Sequence, residues 1–179
     1  MKLRTHLLAF ALITASVLSL SIVKPAAAAD LSDEQLGRIM SNCLSIKGSL
    51  NQLHATDALL RVNRGQIYES IGTKLMNNFN ARLSNNSLDN KGLVAVAQSY
   101  QTAQTTFRDD YRSYEQQLSA ALRIDCTKEP SVFHDSVESA RIKRATVHSD
   151  VLRLHQYIDD YRTSVNDFML NFDRVTGNN

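Results

Sequence analysis

The chain has 179 residues, with 20 Lys and Arg against 18 Asp and Glu, two cysteines, six glycines, two prolines and no tryptophan. At 43% hydrophobic and 21% charged residues it has the composition of a folded globular protein, which excludes a disordered or collagen-like chain. Two cysteines are too few for a disulfide-dense small domain or a four-thiolate zinc site.

The first 29 residues read as an export signal. Lys2 and Arg4 precede an uncharged, mostly apolar run from Leu7 to Val23, which Lys24-Pro25 ends. Ala27 and Ala29 satisfy the small-x-small rule of signal peptidase, placing cleavage between Ala29 and Asp30. The competing reading is an uncleaved anchor, but a run of about seventeen residues is at the lower limit for spanning a bilayer. No cysteine follows the run, as a lipoprotein anchor requires. Removal of Lys2, Arg4 and Lys24 leaves 17 basic and 18 acidic residues, a net charge of −1. Composition therefore offers no case for nucleic acid or an anionic lipid surface as partner, and the membrane enters only through an uncleaved signal.

The remaining chain, residues 30–179, predicts three long helices over about 33–83, 90–124 and 130–175. Ser32 and Gln35 form a capping box, and Leu31 with Leu36 a hydrophobic staple. The apolar stripe then runs Ile39, Cys43, Ile46, Leu50, Leu53, Leu60, Ile67, Ile71, Leu75, Phe79 and Leu83, interrupted by Asp57 and Arg64. Gly48 is a candidate break, since an interior glycine costs about 1 kcal/mol relative to alanine. Residues 84–89 form a polar connector, and Ser87 or Asp89 caps the second helix. Its stripe is Leu93, Val96, Tyr100, Ala103, Phe107, Tyr111, Tyr114, Leu118 and Ala121. A second connector, 126–130, ends at Pro130, which suits a first helical turn. The third helix carries a sustained heptad: Phe133, Val137, Ala140, Arg144, Val147, Val151, Leu154, Ile158, Tyr161, Val165, Phe168, Phe172 and Val175. Gly177 is placed to stop it. The fold class is all-α: an elongated antiparallel three-helix bundle with coiled-coil-like heptad packing. An intermolecular coiled coil of the third helix alone is the lesser alternative, because the other helices carry stripes too.

Register arithmetic links distant residues. In a hairpin centred on Asn86-Ser87, residues at one level have numbers summing to about 173. Cys43 and Cys126 come within about one helical turn of that level, and an exported chain is in a disulfide-permissive compartment, which predicts a Cys43–Cys126 bond. No C-x-x-C motif points to a redox-active pair. If the third helix starts level with Cys43, Arg144 arrives beside Asp57, and the hairpin sum sets Arg64 opposite Asp109. We read Asp57, Arg64, Asp109 and Arg144 as a polar core layer of two ion pairs that fixes register.

Catalytic and ligand motifs are sparse. There is no phosphate-binding glycine loop, no G-x-S-x-G and no H-E-x-x-H. His54, His134, His148 and His155 lack zinc-site spacing, and Asp150 is expected to point away from the face shared by His148 and His155. The adjacent pairs Asp109-Asp110 and Asp159-Asp160 diverge by about 100° on a helix. Arg141, Lys143 and Arg144 form a basic cluster too small for a nucleic-acid footprint. Asn85-Asn86-Ser87 is a glycosylation sequon by its letters alone.

Two resemblances bear on function. Leu31-Ser32-Asp33-Glu34-Gln35 is similar to the L-T-x-x-Q motif of periplasmic helical chaperones, although a capping box explains the same letters and the motif occurs once. Cys43-x-x-Ile46-Lys47, Phe107-x-x-Asp110-Tyr111-x-x-Tyr114, Cys126 before Pro130, and Ala140-Arg141-x-x-Arg144-x-x-Val147-x-x-Asp150 together cover most of the remaining chain. They resemble uncharacterised exported two-cysteine helical-bundle proteins of reduced-genome candidate-phylum bacteria, Saccharibacteria among them. That resemblance implies an exported helical bundle and no particular activity. The expectation is a non-enzymatic envelope or extracellular interaction module without cofactor or metal, binding a protein partner or a second copy. A chaperone-like envelope protein is the first alternative, and an enzyme or metal binder using the polar core is the second.

Overall fold

A computed structural model describes residues 31–177, so the proposed signal segment and its Ala29–Asp30 junction lie outside the described residues. Every regular element among the described residues is helical, and none of these helices is long and apolar enough to cross a membrane. Helix α1 (Asp33–Ser41) opens on the capping box, with Ser32 Oγ accepting from Gln35 N at 3.3 Å and Gln35 Oε1 from Ser32 N at 2.8 Å. It ends at Asn42, not at Gly48. The Asn42 side chain donates to the Arg38 carbonyl at 2.9 Å, competing for a helix acceptor, and the next residue is Cys43 of the disulfide. Gly48 is accommodated inside α2 (Cys43–Ser70).

Helix α2 runs into a π-helical turn (Ile71–Met76) and then α3 (Asn77–Asn85). This turn corrects the expected stripe. Tyr68, Gly72, Met76 and Asn80 face inward, whereas Leu60, Ile67 and Leu75 are about half exposed. A spacing of four drifts by about 40° per step on an α-helix, and the wider π turn takes up the drift. Hydroxyls from the neighbouring helices hold the turn at both ends. Tyr100 donates to the Tyr68 carbonyl at 2.7 Å, and Tyr161 lies 3.1 Å from the Met76 carbonyl and 2.8 Å from Asn80 Oδ1. Burial pushes the Tyr161 hydroxyl up to about 12, so it remains a proton donor at neutral pH.

The connector after α3 is a Schellman turn, with Leu88 N bonded to Leu83 O at 3.0 Å and Ser87 N to Ser84 O at 3.0 Å. Ser87 takes the left-handed conformation (φ 56°), where glycine is usual. Asn90, not Ser87 or Asp89, occupies the N-cap of α4 (Lys91–Arg123), and Asp89 accepts from Lys91 N at 3.2 Å. Helix α5 (Pro130–Thr176) begins with proline in its first turn and stops at Gly177 (φ 71°).

Cross-helix pairs set the directions. Residues 57 and 114 meet between α2 and α4, and 69 with 108, so numbers fall along one helix as they rise along the other. Between α2 and α5, Asp57 meets Arg144 and Tyr68 meets His155, both at a separation of 87, so these helices run the same way. The main core joins Tyr68, Met76, Leu83, Leu93, Tyr100 and Leu154. A second cluster, Tyr111, Tyr114, Leu118 and Ala140, leads to a third formed by Cys43, Cys126 and Phe133. At the far end of α5 the heptad loses its cover: Phe172 is 40% exposed and Val175 86%.

Candidate functional site

Cys43 and Cys126 form a disulfide with a Cα–Cα distance of 5.6 Å, closing a sequence separation of 83 residues. Both cysteines are buried, against Ile39, Ile46 and Phe133. A buried bond of this kind suits an oxidising, extracellular-type compartment.

About four turns along α2 from Cys43 lies a polar layer centred on Asp57. Its carboxylate is buried and receives three donors: Arg144 Nε at 2.7 Å, Arg144 Nη2 at 3.0 Å and Tyr114 Oη at 2.7 Å. Burial alone would raise the Asp57 carboxyl, but the Arg144 and Tyr114 hydrogen bonds and the Arg144 charge outweigh it, holding the group below its ordinary value. The same contact raises Arg144, through its hydrogen bonds to Asp57, and fixes it as a cation. Burial and the bond to Asp57 also raise Tyr114, which therefore stays protonated and donating.

The other pair expected in this layer does not form. Arg64 is exposed, and Asp109 turns outward to Arg112 at 3.0 Å. Levels matched but faces did not: Phe107 and Tyr111 occupy the buried face of α4, and Asp109 lies some 200° round the helix from Phe107. The cross-helix pair nearest this region is Arg108 with Glu69, at 3.0 Å and on the surface.

Arg64 instead contributes to an open groove of about 540 Å³ running between α2 and α5 above α4. Its apolar lining includes Leu60, Phe107, Val147 and Val151, with Tyr68, Tyr111 and Tyr114 beside them. Arg61, Arg64, Arg141 and Arg144 also line it, and Asp57 is the one acidic residue of the lining. His148 lies on the same rim. The Arg61 guanidinium sits 5.2 Å from the centroid of the Tyr111 ring. The Tyr111 hydroxyl is buried without a hydrogen-bond partner. Burial, then the nearby Glu115 and Asp57 carboxylates, raise it. Chemically, this is a cationic rim above an apolar floor.

The groove was not foreseen from the heptad pattern, because Arg61 and Arg141 lie off the seams. The visible signal was the run of arginines at 61 and 64 on one helix and 141 and 144 on another, each pair three apart and therefore on one face. Asp150 points away from the exposed face of His148 and His155, as expected, and is buried at 3% exposure, since it stands three residues after Val147 and four before Leu154. Among the described residues no three His, Cys, Asp or Glu side chains converge as a metal site. Comparison with protein-family models, curated proteins and solved structures gives no match to this chain.

Proposed function

We propose that the chain is an exported, non-enzymatic binding module: an elongated antiparallel three-helix bundle, released from its signal after Ala29, that works in the cell envelope or outside the cell. The signal-like residues 1–29 and the Cys43–Cys126 bond support the compartment. The observation that carries the binding role is the groove, where four guanidinium groups share an apolar trough of about 540 Å³ with a single carboxylate. In a chain whose residues 30–179 are almost neutral, this local excess of charge marks a recognition surface.

Titration of the isotopically labelled, disulfide-bonded protein with a small-molecule extract of the producing cells tests the reading by two-dimensional NMR. Amide shifts confined to the groove segments, 57–68 and 141–151, are expected. An unresponsive groove, or shifts only elsewhere, would overturn it.

A further inference from the structure

We infer that the groove receives a small amphipathic carboxylate, its apolar tail lying on Leu60, Phe107, Val147 and Val151 and its carboxylate held by Arg64. This rests on the binding-module reading above and names the ligand class. The volume of about 540 Å³ falls within the range of roughly 300–1,000 Å³ usual for small-molecule sites.

The four arginines are not equivalent. Arg144 is committed to Asp57, and Arg141 lies 3.2 Å from Glu138. Arg61 is spread over the Tyr111 ring. Among the described residues Arg64 has no ion pair and no hydrogen bond, although it is exposed and lines the groove. A guanidinium presents parallel donors that match a carboxylate. Tyr111, in the same lining, adds a buried hydroxyl with no hydrogen-bond partner. A free inorganic anion would satisfy Arg64 but leave the apolar floor wet. A cationic amphipath would cover the floor but meet the like charges of Arg61 and Arg64, which no carboxylate pairs.

Isothermal titration calorimetry of the disulfide-bonded protein with sodium dodecanoate below its micelle concentration is the test. Dodecyltrimethylammonium, acetate and hexaglutamate are the comparison probes. Dodecanoate is expected to bind at least ~10-fold more tightly than the cationic amphipath, with acetate silent, and Arg64→Gln to weaken it by roughly 10–100-fold, as loss of a charge-assisted contact predicts. Arg64 is exposed, so the variant keeps its fold, which circular dichroism verifies. Equal binding of the two amphipaths, or an unchanged Arg64→Gln titration, would overturn the inference. So would tighter binding of hexaglutamate, which would indicate an acidic peptide. If dodecanoate is silent while a cell extract moves the groove amides, the ligand class fails and the module stands. If both are silent, both fail.

Discussion

Arg144 on α5 clasps Asp57 on α2 through two nitrogens, Nε to Oδ2 at 2.7 Å and Nη2 to Oδ1 at 3.0 Å, across 87 residues of sequence. The two ends of the pair sit in different media: the Asp57 side chain is 9% exposed and that of Arg144 50%. Water therefore shares the solvation of the cation, while the carboxylate depends on Arg144 and Tyr114.

Removal of either partner is expected to act unequally. Arg144→Ala leaves a buried carboxylate with Tyr114 as its remaining donor and is expected to cost about 1–3 kcal/mol, more than Asp57→Ala, which frees a half-exposed guanidinium. A double-mutant cycle by urea denaturation should return a coupling of about 1–2 kcal/mol. The sign with pH follows from the depressed Asp57 carboxyl. Its contribution is present above the unfolded value of about 4 and is lost as pH falls through the lower folded value. Asp57→Ala should therefore lack part of the acid destabilisation seen in the parent, and equal acid slopes would contradict the geometry.

The Cys43–Cys126 bond closes 83 residues, nearly the whole hairpin of α2 and α4. In the chain-entropy account such a loop stabilises the fold by about 4–5 kcal/mol. The double variant Cys43→Ala with Cys126→Ala is expected to melt about 8–20 °C lower, at about 2–4 °C per kcal/mol for a domain of this size. Reduction of the parent should reproduce that loss. A melting temperature indifferent to reductant would show that the bond is absent or unimportant.

Gly72 offers a test of the π turn with its own controls. A Cβ at position 72 would stand 3.2 Å from Tyr100 Cε1, whereas one at Gly48 or Gly65 would meet nothing within 4 Å. Tyr100 is fully buried and pinned to the Tyr68 carbonyl at 2.7 Å, so it has no room to yield. Gly72→Ala is expected to destabilise by about 1–2 kcal/mol through overpacking. Gly48→Ala and Gly65→Ala should stabilise by about 0.5–1 kcal/mol, the ordinary gain in helix propensity. Urea midpoints for the three variants decide the matter, and a stabilising Gly72→Ala would mean that Tyr100 moves freely.

These tests also mark where sequence reasoning stops. Three helix ends are legible because they depend on local chemistry, the Ser32–Gln35 box, Pro130 in a first turn and Gly177 at a left-handed stop, whereas the break at Asn42 and the Asn90 cap are not. The Cys43–Cys126 and Asp57–Arg144 meetings followed from register, since short connectors leave little freedom in level. Faces were harder. Ile67, Ile71, Leu75 and Phe79 repeat every four residues, and so do Tyr68, Gly72, Met76 and Asn80 one position later. The first set is more apolar, but the second is the one that Tyr100 and Tyr161 reach through backbone carbonyls. That choice belongs to tertiary hydrogen bonding, which no periodicity records. The groove is hidden for a related reason: Arg61 and Arg141 lie beside the seams, where a heptad reading assigns solvent.

Asp150 provides the sharpest pH test. Its carboxyl is almost wholly buried on α5, with one oxygen unpartnered, Asp110 of α4 facing it and the nearest Arg153 nitrogen 3.9 Å away. Burial first, and then the Asp110 carboxyl, push Asp150 up to about 6. A folded-state value above the unfolded one means that the native protein holds a proton the unfolded chain has released. The contribution of Asp150 to stability is then full below about pH 4, falls as pH rises through about 6, and is gone above it. The loss is on the order of 2–3 kcal/mol, at about 1.4 kcal/mol per unit. Asp150→Asn keeps the shape, stays neutral and can donate to Asp110. Thermal melts should therefore show the variant matching the parent near pH 4.5 and exceeding it by several degrees at pH 7.5. An Asp150→Asn protein no more stable than the parent at pH 7.5 would mean that the two carboxylates are separated by water and share no proton.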